Sequence, residues 1–93
     1  PEAFRLHQNW PNPFNPATSI TFNLPATGHV LLEVFDVSGR LVVVLADKVM
    51  SMGNHSITWD GRGESGSMLS SGVYFCRIGF NKDTITRKMV LLR

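Results

Sequence analysis

The sequence predicts an all-β fold, an antiparallel β-sandwich of about seven strands. Short segments rich in β-branched and aromatic residues recur at a spacing of about 8–12 residues, with turn residues between them. No segment repeats its apolar residues at the helical period of about 3.6 over the length of a helix. With 93 residues, 43% of them hydrophobic and 17% charged, the chain fits one globular domain, 1–93, with a single core. A β-barrel is the alternative arrangement.

The first part of the chain combines a short extended segment with a proline-rich loop. Residues 4–8 are predicted to form a short strand or an extended arm. Residues 9–16 read Asn-Trp-Pro-Asn-Pro-Phe-Asn-Pro, and three prolines so close together exclude a helix and a central strand. We therefore expect a stiff irregular loop in which Trp10 and Phe14 pack onto the core as apolar anchors.

The strands that follow are predicted from hydrophobic patterning. Strict alternation over 18–24 indicates a half-buried strand. A second strand at 29–36 ends in a hairpin turn in which Gly39 is free to adopt a positive φ. The run 41–46 is apolar without alternation, so it is expected to be buried on both faces. The rest of the chain is predicted to form a connection (47–53), a strand (54–60), a loop (61–71), a second strand (72–80), a tight turn (81–83) and a last strand (84–92), followed by Arg93.

A search for chemistry finds no catalytic or metal-binding motif. The three histidines (7, 29 and 55) lie outside any zinc-ligand spacing, and no serine lies in a Gly-x-Ser-x-Gly elbow. The single cysteine, Cys76, is expected to behave as a small buried hydrophobe. Asp60 is expected to fix its glycine-rich loop through backbone N–H bonds rather than to bind calcium with Glu64. We therefore predict a domain that is not an enzyme and uses no cofactor or metal.

Charge and termini restrict the possible partners further. The net charge is +2, and the basic residues are too sparse for a nucleic-acid module. No apolar run has the length of a membrane span. The sequence begins with Pro1 and has no signal peptide, so it is expected to be a piece of a longer protein. The basic excess falls near the end of the chain, at Arg77, Lys82, Arg87, Lys88 and Arg93.

Two surfaces have both a structural and a functional interpretation. Five aromatic residues could build a sugar-binding platform, although core positions are the expectation for a β-sandwich: Trp10, Phe14, Trp59, Tyr74 and Phe75. Residues 86–93 combine a basic pair, four apolar residues and a basic end. They are either an edge strand whose charges discourage aggregation, or a terminal recognition strip.

Six short motifs, taken in order, resemble a known family. They are Asn-Trp-Pro-Asn-Pro-Phe-Asn-Pro (9–16), Thr-Ser-Ile-Thr-Phe-Asn-Leu-Pro (18–25), Val-Phe-Asp-Val-Ser-Gly-Arg-Leu-Val (34–42), Thr-Trp-Asp-Gly (58–61), Ser-Gly-Val-Tyr-Phe (71–75) and Thr-Arg-Lys-Met-Val-Leu-Leu (86–92). Together they resemble the C-terminal sorting domain of type IX secretion cargo. The chain is also similar to the immunoglobulin-like domain of the flagellar hook-capping protein.

The resemblance implies a non-catalytic, immunoglobulin-like β-sandwich at the C-terminus of a secreted protein. Such a domain routes an N-terminal passenger through the periplasm and across the outer membrane of a Gram-negative bacterium, to the cell surface or the medium. Its implied partners are the secretion machinery and a processing protease of the outer membrane. The signal-like strand is 84–93, and by position the recognised strip falls on Arg87, Lys88, Met89, Val90, Leu91 and Arg93. The Asn-Pro-Phe-Asn-Pro and Ser-Gly-Val-Tyr motifs are carried over only as structural marks.

Two other functions stay open at this point. One is a structural scaffold module, as in hook assembly. The other is an accessory carbohydrate-binding module of a glycosidase, which predicts that two of the five aromatic residues lie exposed in one plane.

Overall fold

Two antiparallel sheets make up the computed structural model, which describes residues 3–93. The strands are β1 (Arg5–Leu6), β2 (Thr18–Leu24), β3 (Gly28–Asp36), β4 (Leu41–Met50), β5 (Gly53–Trp59), β6 (Gly72–Phe80) and β7 (Asp83–Leu91). The three-stranded sheet has the order β1-β2-β5, and the four-stranded sheet has the order β4-β3-β6-β7. Their inner faces share one hydrophobic core. The predicted all-β sandwich is confirmed, and the barrel alternative is wrong.

The core forms because successive side chains of a strand point to opposite faces. From the four-stranded sheet, β3 contributes Val30, Leu32 and Val34, all fully buried. From the facing sheet, β2 contributes the alternating apolar residues that the sequence predicted, Ile20, Phe22 and Leu24. Inward residues of β6 and β7 complete the layer: Tyr74, Cys76, Ile78, Phe80, Met89 and Leu91.

Strand bounds agree with the sequence prediction to within one residue for β2, β3, β5, β6 and β7. The β3–β4 hairpin is also as predicted, with Gly39 at a φ of 87°. Oδ1 of Asp36 accepts hydrogen bonds from the backbone N–H groups of Ser38 and Arg40. The Ser38 hydroxyl donates to the same oxygen at 2.6 Å, and it contributes most to holding the pKa of Asp36 below its ordinary value.

The prediction for the apolar run 41–46 is wrong. β4 lies at the edge of its sheet, where Val42 and Ala46 are buried but Leu41 is 45% exposed. Its pairing with β3 shifts register twice, between Leu32 and Glu33 and again two residues later. Such bulges reorient the side chains that follow them, so an apolar run without alternation does not require burial on both faces. β4 also continues to Met50, which shortens the predicted connection 47–53 to residues 51–52.

The irregular segments gather at the end of the sandwich where β7 finishes. The proline-rich segment 8–16, called here the covering arm, reaches that end, because Phe14 forms a β-bridge with Leu91. Loop 60–71 lies beside them, because the Arg93 side chain bonds to backbone oxygens of that loop. The fold therefore brings the signal-like strand together with two loops that are distant from it in sequence.

Leu32→Ala and Leu41→Ala compare a core position with an edge position. Truncation of the fully buried Leu32 leaves a cavity and should lower the free energy of unfolding by about 2–5 kcal/mol. Truncation of the exposed Leu41 should change it by about 0.5 kcal/mol or less. Urea unfolding followed by tryptophan fluorescence measures both values. Equal losses would contradict the edge position of β4.

Candidate functional site

The six residues of the predicted strip lie in and just after β7, an edge strand of the four-stranded sheet. Met89 and Leu91 point into the core and are fully buried. Lys88 is exposed and Val90 half-buried on the opposite face of the strand. The strip is therefore not one continuous surface, because the alternation of β7 divides it between the core and the outside.

Arg87 has a separate environment at the open side of the sandwich. Its side chain shares the inward direction of Met89, but it is exposed, because β7 is the last strand of its sheet. Its Nε donates a hydrogen bond of 2.9 Å to the backbone oxygen of Leu6 in β1. The guanidinium thus connects the edges of the two sheets.

The covering arm occupies the outer edge of β7 along its second half. The backbone N–H of Phe14 donates to Val90 O at 2.9 Å, and the N–H of Leu92 donates back to Phe14 O at 3.0 Å. The N–H of Val90 donates to Oδ1 of Asn12 at 2.9 Å. The Gln8 side chain donates to Lys88 O at 2.7 Å. Because an unpaired strand edge is a template for pairing, the arm protects this part of β7.

A small buried polar network fixes the shape of the arm. Asn9 and Thr18 are 3% and 2% exposed. The side-chain amide of Asn9 donates to Oγ1 of Thr18 at 3.0 Å, and the Thr18 hydroxyl donates to Pro11 O at 2.8 Å. Buried polar atoms are stable only when bonded, so these contacts impose one conformation on the loop.

Three aromatic rings from three different motifs meet beneath the arm. Phe14 and Trp59 have ring centroids 5.4 Å apart, and Trp59 and Tyr74 have centroids 5.6 Å apart at 75°. Tilted and edge-on geometries of this kind are favourable for aromatic pairs. The polar atoms are also bonded, because Trp59 Nε1 donates to Arg62 O and the Tyr74 hydroxyl donates to Ser70 O.

Arg93 is anchored rather than free. Its Nη2 donates to Gly61 O at 2.6 Å, and its Nε donates to Leu69 O. Its backbone N–H donates to Oγ of Ser71 at 2.8 Å. Gly61 has a φ of +75°, and a Cβ built there would lie 2.9 Å from Arg93 Nη2. The glycine of the Trp-Asp-Gly motif therefore gives the arginine room to dock.

Asp60 has the structural role in loop 60–71 that the sequence predicted. The Oδ1 atom of Asp60 accepts a hydrogen bond from the backbone N–H of Arg62 at 3.2 Å. Glu64 does not join Asp60; its carboxylate accepts the N–H of Val44 in β4. Within residues 3–93, no group of three or more His, Cys, Asp or Glu side chains comes together.

The Trp10 prediction is wrong. Phe14 is a buried anchor as predicted, but Trp10 is 78% exposed. Backbone hydrogen bonds in both directions with Ser19 hold Trp10 against β2, and its ring remains on the outside. Trp59 and Tyr74 are buried and Phe75 is half-buried, so the five aromatic residues form no exposed coplanar pair. The sugar platform anticipated by the carbohydrate-binding alternative is therefore not formed.

Sequence reasoning missed the residues that hold the strip. Gln8 and Asn12 contact β7 across separations of 80 and 78 residues. Leu69 contacts Arg93 across 24 residues, and nothing in its local sequence predicts this. The joint occurrence of the six motifs was the one available signal, because three of them supply the covering arm, the aromatic rings and the loop around Arg93.

A comparison with family models identifies the family of this chain. Residues 8–92 match the family model described as "Secretion system C-terminal sorting domain". The chain belongs to this family. It is a sorting domain of type IX secretion, a non-catalytic module that directs the secretion of cargo. Membership implies interaction with the secretion machinery and a secreted or cell-surface location. None of the curated proteins compared with the chain matches it.

Solved structures show that the fold is shared. Dimeric latent PorU from Porphyromonas gingivalis has 22% identity and a TM-score of 0.78 over 99% of this chain. PorZ from the same organism, an essential surface component of the type IX secretion system, has 22% identity and a TM-score of 0.63 over 95%. FlgD from P. aeruginosa has 23% identity and a TM-score of 0.63 over 80%. The chain spans only 9%, 11% and 59% of these proteins, respectively.

No helix in residues 3–93 is long and apolar enough to cross a membrane.

The buried Cys76 is 1% exposed, and burial raises the pKa of its thiol to about 12. A thiol that stays neutral is a poor nucleophile, because the thiolate is the reactive form. Cys76 is therefore a small buried hydrophobic residue, as the sequence predicted.

Substitutions at two glycines test the docking of Arg93. Gly66 has a φ of +84° with open space around it, so Gly66→Ala should cost about 1–2 kcal/mol of backbone strain. Gly61→Ala brings the added Cβ to 2.9 Å from the flexible end of the Arg93 side chain and to 3.3 Å from Pro16 O, and should cost about 1 kcal/mol more. The extra cost should shrink in an Arg93→Ala background, as measured by denaturant unfolding of the single and double variants. An unchanged extra cost would show that the neighbouring Pro16 O, 3.3 Å from the added Cβ, sets the penalty and that Arg93 does not.

The Cys76 thiol should make stability depend on alkaline pH. The unfolded chain loses its thiol proton above the ordinary pKa of 9.0, whereas the folded chain retains it up to about 12. The unfolded state therefore binds fewer protons in this window, and stability falls as pH rises through it. The free energy of unfolding should fall less steeply above pH 9 in Cys76→Ala than in the wild type. Parallel slopes in urea titrations would contradict the burial of the thiol.

Proposed function

We propose that the secretion machinery recognises the folded strand β7 through the exposed Arg87 and Lys88 and the half-buried Val90. In this proposal Met89 and Leu91 do not contact the machinery but hold the strand in place, and Arg93 fixes its end. The observation that supports it is the alternation at the end of β7, where full burial of Met89 and Leu91 places Lys88 and Val90 at defined positions on the opposite face.

The charge of the exposed members indicates the chemistry of their partner. Arg87 and Lys88 are adjacent cations on opposite faces of one edge strand. β7 has no acidic residue after Asp83. Exposed charges mainly determine encounter rate and specificity, so an acidic surface on the machinery is the complementary partner.

The route and the processing belong to the same proposal. The domain carries an N-terminal passenger through the periplasm and across the outer membrane of a Gram-negative bacterium, and an outer-membrane protease removes it there. Family membership supports this route. The small share of PorU and PorZ that the domain covers supports an appended module within a much longer chain.

A charge-reversal pair tests the proposal more sharply than truncation. Removal of residues 87–93 would take Met89 and Leu91 out of the core and unfold the domain. The full domain should instead be fused behind a periplasm-targeted fluorescent reporter in a type IX-competent bacterium. Lys88→Glu should lower reporter export at least about tenfold, which corresponds to about 1.4 kcal/mol of recognition energy.

Lys82→Glu is the matched control, because Lys82 is exposed in the β6–β7 turn and undergoes the same charge change. Circular dichroism and thermal melting confirm that both variants fold. Equal export of the two variants would reject recognition through the charge of β7. Retention of the folded wild-type fusion in the periplasm would reject sorting activity in that host.

A further inference from the structure

The outer edge of β7 is occupied along only half of its length. Backbone groups of Lys88, Val90 and Leu92 face the covering arm and bond to it. Backbone direction alternates along a strand, so the N–H and C=O groups of Thr84 and Thr86 and the N–H of Lys88 face the same way. Within residues 3–93 these five groups have no backbone partner.

In the described part of the chain, residues 3–93, no strand continues the four-stranded sheet beyond this open half. β1 lies nearby but pairs with β2, in the other sheet. The hydrogen bond between Arg87 and Leu6 joins the two layers through a side chain and uses no backbone N–H or C=O group of β7. A strand that added here would lie directly beyond the arm, which already pairs through Phe14 with the same edge.

We infer that residues 84–88 accept an extended segment of a partner protein, which adds to the four-stranded sheet as a further strand. This inference rests on the proposed function and identifies the part of β7 where the machinery would bind. Main-chain hydrogen bonds supply affinity in this binding mode, and side chains at alternate positions supply specificity. Arg87 and Lys88 flank the open edge on its two faces, so the added segment carries acidic side chains.

The same charges have a competing explanation. Charged side chains that point inward and lysine side chains on the edge are two features by which proteins prevent edge strands from pairing with other chains. The two explanations differ in their backbone requirement. Strand addition needs the outward N–H of Thr86, whereas a protective role of the charges does not.

Substitution of Thr86 isolates this backbone group. Thr86→Pro removes the outward N–H, and proline is tolerated on edge strands when its nitrogen faces away from the neighbouring strand. Thr86→Ala is the matched control, since it removes the same side chain and keeps the N–H. In the reporter fusion, Thr86→Pro should lower export at least tenfold and Thr86→Ala should not, with thermal melting used to confirm that both variants fold. Normal export of a folded Thr86→Pro variant would overturn the inference, while loss of export in Lys88→Glu would leave the proposed function standing.

A direct binding measurement separates the inference from export. The probe is a synthetic peptide of alternating valine and glutamate, titrated into the isotope-labelled domain. In nuclear magnetic resonance spectra the amide resonances of Thr84, Thr86 and Lys88 should shift. Proton–proton contacts should also appear between the peptide backbone and the domain backbone across the new pair of strands. A valine–lysine peptide should produce no such shifts. Absence of shifts at millimolar glutamate peptide, or shifts confined to other strands, would overturn strand addition even if export requires the cations.

Discussion

The pairing of Phe14 with the end of β7 is the interaction on which the rest of this structure depends. One residue satisfies two backbone groups of an edge strand, Val90 O and Leu92 N, and inserts its ring against Trp59. Without it, Val90 O and Leu92 N would lose their partners, and the Trp59 ring would lose an aromatic contact in the core. Both losses are costly, because buried apolar surface is the dominant favourable term in folding and each hydrogen bond contributes about 0.5–1.5 kcal/mol.

This pairing also gives a physical reason why several short motifs occur together. The proline-rich motif supplies Phe14 and the buried Asn9, the Trp-Asp-Gly motif supplies Trp59 and the glycine beside Arg93, and the Ser-Gly-Val-Tyr motif supplies Tyr74 and the hydroxyl that accepts the N–H of Arg93. Each motif is weak as a local pattern. In three dimensions they are parts of one support around the terminal strand.

The sequence was informative where one face of a strand meets the core, and less so elsewhere. Alternation in β2 predicted its bounds and its buried residues, because burial on one side imposes a period of two. β4 was misread because bulges break that period. Trp10 was misread because a proline-rich loop has no period from which a direction can be inferred, and its exposure follows from its pairing with Ser19. The strip was predicted as six positions with one role, 87–91 and 93, yet strand geometry assigns them different environments, and the partners that hold them lie up to 81 residues away.

The contact between the covering arm and β7 also has a consequence for the order of folding. Residues near opposite ends of the described chain must meet before either segment is stable, and closing a loop of that length carries a large entropic cost. High contact order makes such steps slow, so the edge of β7 is completed late, after the local hairpins have formed. A ribosome must synthesise almost the whole domain before the arm finds its partner. The finished edge therefore reports on the integrity of the entire sandwich, and a receptor that binds β7 only when the arm is in place would reject chains that are unfinished or misfolded.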